Sequence, residues 1–235
     1  MLPAEGYATL KLDNVELGIL QGFVRTQYFE ALSREVPGQA HLFHGVPLDH
    51  YHVLSELIPH GTVWKKWNRI LPKAAVLTIR GMPFMQTLER QFGEFQITNE
   101  EGREDEEVYW RIVRPRSPND VGTLHADRWF WDLGHGTVPG HQRLKVWIPL
   151  WCEPGVSGLA VVPGSQLREW KFHGERPAGE TRPSYQKPVI DERPDAHLLY
   201  TEPGTAILFH EGLLHGGINA GATKTRYSLE FMIWR

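Results

Sequence analysis

Hydrophobic and polar positions change their period partway along the chain. Val15 to Val36 carries Leu17, Leu20, Phe23, Val24, Tyr28 and Leu32 at helical spacing, which predicts an amphipathic helix ending before Pro37-Gly38. Ahead of it, Tyr7 to Leu12 alternates and reads as a strand. Leu48 to Ile58 (stopped by Pro59), Val63 to Leu71 and Lys73 to Ile79 read as short helices. Pro83 stands where a first-turn proline belongs, opening a helix through Phe92 that Gly93 ends. Residues 1–93 are therefore expected to be mostly helical.

From Glu94 the apolar runs shorten, and Gly or Pro marks nearly every junction. Glu94 to Thr98 and Glu106 to Arg114 read as a hairpin around the polar turn Asn99 to Arg103. Further strands are expected at Arg143–Trp151, Leu159–Val162, His197–Tyr200, Thr205–Phe209, Leu213–Ile218 and Tyr227–Trp234. Many short strands with such turns indicate a sandwich or barrel. Lys171 to Pro194 has no apolar period and reads as a long surface excursion. The expectation is one domain over residues 1–235, helical in 1–93 and β in 94–235.

Composition narrows the function classes. A net charge of -3 among 235 residues argues against nucleic acid as the main partner. No apolar run approaches a membrane span, and the start of the chain lacks the basic and apolar regions of a signal peptide. A single cysteine, Cys152, rules out an intramolecular disulfide framework, so the expected setting is the cytoplasm. The expected partner is a small molecule, with no nucleic acid or membrane and with the oligomeric state left open.

The candidate chemistry gathers in the last half of the chain. His125-Ala126-Asp127 places two ligand-type side chains two residues apart, so on a strand both face the same way. With His215 they make two imidazoles and one carboxylate, the facial donor set that leaves open positions on an octahedral Fe(II). His173-Gly174-Glu175 is a second His-x-acid pair, set aside because it lies in the Pro- and Gly-rich excursion. Arg226 opens the terminal strand, eleven positions after His215. A guanidinium on a buried strand requires an anionic partner.

These motifs occur together with Lys145 to Leu150, Gly158 to Ser165 and Pro203 to His210 in one order. The set resembles the phytanoyl-CoA dioxygenase family of Fe(II)/2-oxoglutarate oxygenases, over roughly residues 105–235. The resemblance implies a mainly β fold with N-terminal helices, built on a double-stranded β-helix, a cupin-like jelly roll. It implies Fe(II), 2-oxoglutarate and O2 as cofactors, with iron held by His125, Asp127 and His215. Arg226 would pair with the distal carboxylate of 2-oxoglutarate, Ser228 would support it, and Trp147 would line the same pocket. An inward residue of the strand near 108–114 would also touch the cosubstrate.

The implied reaction couples oxidative decarboxylation of 2-oxoglutarate, giving succinate and CO2, to hydroxylation of an unactivated C–H. The carboxylate of Asp127 favours hydroxylation over halogenation. Other oxidative outcomes on the same iron, and a metal-binding jelly roll without turnover, stay open at this point. The aromatic and Gly-rich stretch Arg128 to His141 lies where the family builds its substrate mouth, so Arg128, Trp129 and His141 are the expected substrate residues. The substrate expected is a compact polar or anionic metabolite.

Overall fold

The computed structural model describes residues 2–98, 105–135, 143–176 and 185–235. The chain opens with strand β1 (Tyr7–Lys11) and helix α1 (Asn14–Glu35). Asp13 caps α1: its Oδ1 accepts from Glu16 N at 2.8 Å, and Glu16 Oε2 accepts from Asp13 N at 3.0 Å. This reciprocal pair satisfies two of the helix's unpaired donors. The other oxygen of Glu16 accepts from Phe84 N at 2.7 Å, which ties α1 to a later helix. Short helices α2 (Ala40–Phe43) and α3 (His60–Val63) follow, then α4 (Lys73–Arg80) and α5 (Pro83–Phe92). Gly93 ends α5 at φ 83°, a conformation that favours glycine.

Two expected helices are broken. Leu48–Val53, Ser55–Leu57 and Lys66–Arg69 are 3-10 turns, and α3 is a single turn. Segments this short, bounded by Pro47 and Pro59, do not recover the cost of nucleating an α-helix.

The β part comprises β2 (Gln96–Ile97), β3 (Tyr109–Val113), the short helix α6 (Arg128–Asp132), β4 (Arg143–Trp151), β5 (Gly158–Val161), β6 (Phe172–Glu175), β7 (Lys187–Ile190), β8 (His197–Leu198), β9 (Thr205–His210), β10 (His215–Ile218) and β11 (Arg226–Trp234). One sheet runs β1-β9-β4-β11-β2, with β3 also on β11, and a second runs β10-β5-β8. All these pairings are antiparallel. Two facing antiparallel sheets behind N-terminal helices make the double-stranded β-helix that the sequence implied.

Among the described residues β2 and β3 do not pair with each other, as the hairpin expected around residues 99–103 would require. β2 and β3 both pair with β11, at Ile97↔Ile233 and Tyr109↔Glu230, and so run in the same direction. Both lie along the same edge of β11. The acidic turn itself lies outside the described residues. The excursion Lys171–Pro194 also departs from expectation, because β6 and β7 pair as a hairpin.

The pleat sorts the strands into two cores. Trp110, Ile112, Val146, Ile148, Leu208, Leu229 and Phe231 face outward into one cluster with Leu20, Val24 and Tyr28 of α1. Trp147, Leu159, Val161, Ile207, Phe209 and Leu213 meet between the sheets. At about 25 cal/mol per Å² of apolar burial, the outer cluster is the main adhesive between helices and barrel. The inner face also carries charged side chains, and there the chemistry lies.

Candidate metal centre

His125, Asp127 and His215 converge although they share no strand. His125 forms an isolated bridge with His215, each backbone N donating to the other's carbonyl at 2.9 and 2.8 Å. Asp127 is not in extended backbone: at φ -59° and ψ -37° it begins the turn into α6. The expectation of a strand over 125–127 is thus corrected. The bridge places the two imidazoles side by side, and the helical turn swings the carboxylate between them. Gly216 and Gly217 permit the close approach. A Cβ on Gly216 would lie 3.2 Å from Gly122 O, and one on Gly217 would lie 2.8 Å from the Val121 side chain.

One donor atom from each of the three residues lies within 4.8 Å of the others. Asp127 Oδ1 is 3.6 Å from His125 Nε2 and 3.7 Å from His215 Nε2. Nδ1 of His125 meets Thr123 O at 2.6 Å, and Nδ1 of His215 meets Leu213 O at 3.0 Å. A carbonyl only accepts, so each Nδ1 carries the proton and each Nε2 presents its lone pair to the centre. Burial pushes His215 down to about 4, with Asp127 opposing, so its ring is neutral near pH 7. Burial alone would raise Asp127, but His215, Lys145 and His125 outweigh it and hold the carboxyl well below the usual range. Asp127 Oδ2 is buried without a hydrogen-bond partner. Two imidazoles and an ionised carboxylate with an unused oxygen fit a divalent metal of the iron type.

A second orphan lies on the neighbouring strand. Arg226 is 4% exposed, and its Nε and Nη1 are buried without partners. Its guanidinium sits 5.5 Å from the centroid of Trp147 and close to Gly217. Burial depresses it to about 10, against the pull of Glu230. Ser228, fully buried two residues on, shares the same face. A planar fork with two unused donors in a dry pocket fits a carboxylate.

The geometry and the sequence agree on one family. The family model for phytanoyl-CoA dioxygenase (PhyH) matches residues 84–226. The chain belongs to the PhyH family. Its chemistry is that of non-haem oxygenases using Fe(II), 2-oxoglutarate and O2. Among solved structures, EvdO2 from Micromonospora carbonacea var. aurantiaca complexed with 2-oxoglutarate is similar at TM-score 0.61 and 14% identity, over 98% of this chain and 86% of that one. The ThoJ-Ni complex, a non-heme monooxygenase, is similar at TM-score 0.55 and 13% identity, over 98% and 74%. The alpha-ketoglutarate-dependent carbocyclase SnoK from nogalamycin biosynthesis is similar at TM-score 0.51 and 13% identity, over 98% and 80%. No curated protein matches the sequence. At such identities the neighbours show the PhyH-type fold.

The expected substrate residues divide. Trp129 does not face the mouth: it is 1% exposed and stacks on Phe172 with ring centroids 4.5 Å apart. It packs with Ala126 and Leu214, so its role is to seat the β6–β7 hairpin on α6. Arg128 is half-buried beside His210 and Gly212, its backbone N donating to Glu211 O at 3.0 Å. His141 lies outside the described residues. The discarded pair His173 and Glu175 sits on exposed β6, where His173 is engaged by Asp191 at 2.6 Å and Glu175 at 3.1 Å. No helix among the described residues is long and apolar enough to cross a membrane.

Sequence reasoning passed over a charged group on the inner face. Arg111 Nε donates to Glu230 Oε1 at 2.8 Å, Tyr109 OH donates to Glu230 Oε2 at 3.0 Å, and Lys145 Nζ donates to Tyr109 OH at 3.1 Å. Glu230 and Lys145 are each 5% exposed. The signal was present: Arg226, Ser228 and Glu230 alternate with Tyr227, Leu229 and Phe231 in a strand buried on both faces. A polar series at period two in such a strand marks a polar cavity.

Proposed function

We propose that the chain is an Fe(II)- and 2-oxoglutarate-dependent dioxygenase that hydroxylates an unactivated C–H of a compact polar or anionic metabolite. His125, Asp127 and His215 hold the iron, and Arg226, with Ser228 and Trp147, holds the distal carboxylate of 2-oxoglutarate. The observation that carries this reading is the buried Arg226 fork, unpartnered at Nε and Nη1 on the face that looks toward the triad. Iron bound there supplies O2 reduction coupled to decarboxylation of 2-oxoglutarate, with one oxygen atom passed to substrate and succinate and CO2 released.

The chain's own residues set the stage for that chemistry. The Thr123 and Leu213 carbonyls each hold a proton on Nδ1, which leaves both Nε2 atoms for the metal. Lys145 helps hold Asp127 ionised. Trp147, Ile207 and Phe209 exclude water around the Arg226 end of the cavity, which strengthens its pairing with a carboxylate. Asp127 keeps three protein donors on the metal, which supports oxygen rather than halide transfer.

The test is metal binding and 2-oxoglutarate turnover together. The purified protein is expected to bind about one Fe(II) per chain and to release succinate when 2-oxoglutarate and O2 are added. His215→Ala is expected to lose both while remaining folded by circular dichroism. A His215→Ala protein that turns over 2-oxoglutarate at the wild-type rate would remove the triad from the reaction.

A further inference from the structure

The peptide group between Leu213 and Leu214 is held at both ends. Its carbonyl accepts from Nδ1 of His215 at 3.0 Å, and its N–H donates to Ser165 Oγ at 2.8 Å. A trans peptide points these two groups in opposite directions, so one hydroxyl oxygen sets the tilt of the plane that meets the imidazole. Leu213 and Leu214 are fully buried and Ser165 is 2% exposed, so this N–H must find its acceptor within the protein. His125 is served differently. Its Nδ1 donates to the carbonyl of Thr123, an exposed residue whose peptide bulk water can solvate. The two imidazoles therefore rest on unlike supports.

Ser165 is itself fixed on several sides. It begins a single 3-10 turn, Ser165–Leu167, shortly after β5. Its N donates to Val162 O at 3.1 Å, and its carbonyl accepts from the Trp170 indole at 2.9 Å. Val162 N donates in turn to Leu214 O at 2.9 Å, and Gly164 N donates to Glu5 O at 2.9 Å. The turn thus grips the main chain of Leu214 twice, once through Ser165 Oγ and once through Val162. Both grips fall directly before His215 enters its bridge with His125.

We propose that Ser165 is a positioning residue for the metal ligand His215, acting through the peptide between Leu213 and Leu214. The proposal rests on the reading of His125, Asp127 and His215 as an iron site. Hydrogen bonds in a chain polarise one another. With its N–H drawn to Ser165, this peptide offers the Nδ1 proton a stronger carbonyl acceptor, and Nε2 becomes a better donor to a metal. The same chain fixes the rotation of the ring and so holds Nε2 3.7 Å from Asp127 Oδ1. Removing the hydroxyl leaves the Leu214 N–H buried without its acceptor. The peptide then tilts toward another partner or bears the cost, and the imidazole follows its carbonyl or loses it.

The test titrates the full chain with Co(II) alone, whose visible d–d bands report the geometry of the ligands. Ser165→Ala is expected to bind Co(II) about tenfold more weakly, the lower end of the range for outer partners of a metal ligand, and with shifted bands. Ser165→Thr keeps the oxygen and is expected to recover both. In proton NMR of the Co(II) protein each ligand imidazole shows its Nδ1 proton as a separate exchangeable signal. Ser165→Ala is expected to move one of these signals, hasten its exchange, and leave the other in place. Val24→Ala, in the outer cluster on α1, is expected to unfold earlier yet bind Co(II) as the wild type does. If Ser165→Ala does not fold, Ser165→Cys carries the same test, since a thiol of similar size is a weak acceptor. Unchanged affinity and bands in the folded variant would overturn the proposal. So would a loss that Val24→Ala matches, one that Ser165→Thr does not recover, or a movement of both Nδ1 signals together. Wild-type protein that binds no Co(II) would instead sink the reading of the triad as a metal site, which separates the two failures.

Discussion

Replacing Arg226 by Met should make the empty protein more stable and the loaded protein less so. The guanidinium is 4% exposed and lies against Trp147 with two donors unpaired. Burial lowers it from its ordinary value to about 10, which corresponds to roughly 3 kcal/mol against the charged form. Met has similar length, no charge and enough flexibility to fill the same space. Replacing buried charges by apolar side chains of similar volume often stabilises by about 1–4 kcal/mol. We therefore expect apo Arg226→Met to gain about 1–3 kcal/mol, which in a chain of this size raises the Tm by about 2–12 °C. Metal and 2-oxoglutarate reverse the order. At about a thousand times its Kd, a ligand adds about 4.1 kcal/mol to the wild type and nothing to a variant that no longer binds it. Thermal unfolding of both proteins, with and without Mn(II) and 2-oxoglutarate, gives four curves that test the argument. An apo variant less stable than wild type, with an undiminished 2-oxoglutarate shift, would show that Arg226 is a structural cation and refute its assignment to the cosubstrate.

Two further outcomes follow from burial. Trp129→Ala deletes a fully buried ring stacked on Phe172 and is expected to cost about 3–5 kcal/mol; urea unfolding measures the loss, and the ratio of product to succinate should stay that of wild type in the folded fraction. A fall in that ratio without a loss of stability would return Trp129 to the substrate mouth. For pH, the unfolded chain protonates His215 near 6.5, whereas the folded metal-free protein resists until about 4. The unfolded state binds the extra proton throughout that window, so acidification through it should remove on the order of 3 kcal/mol from the apo protein. Asp127, held below its ordinary range, adds a loss of the same sign only in more acid solution. Urea midpoints compared between pH 7 and 4.5 should move less in His215→Gln, and an equal movement would assign the effect elsewhere.

The sequence by itself determined the helical-then-β order, α1 with its limits near Asp13 and Val36, most strands of the barrel, and the residue types of the candidate centre. These are local matters: a 3.6-residue period, a capping pair such as Asp13 and Glu16, or a proline at a first turn acts within a few residues. The family resemblance added roles to His125, Asp127, His215 and Arg226 because their order along the chain is itself a one-dimensional signal. What the chain order does not encode is which edge a strand joins. Ile97 and Tyr109 are close in sequence and look like a hairpin, yet both hydrogen-bond to β11, whose long apolar edge offers more pairing than a two-residue partner does. The same limit hid the turn at Asp127, the burial of Trp129 beneath Phe172, and the meeting of Arg111, Lys145 and Glu230 on one inner face. Each of these depends on contacts between residues far apart in the chain, where packing and register decide and local propensity is silent.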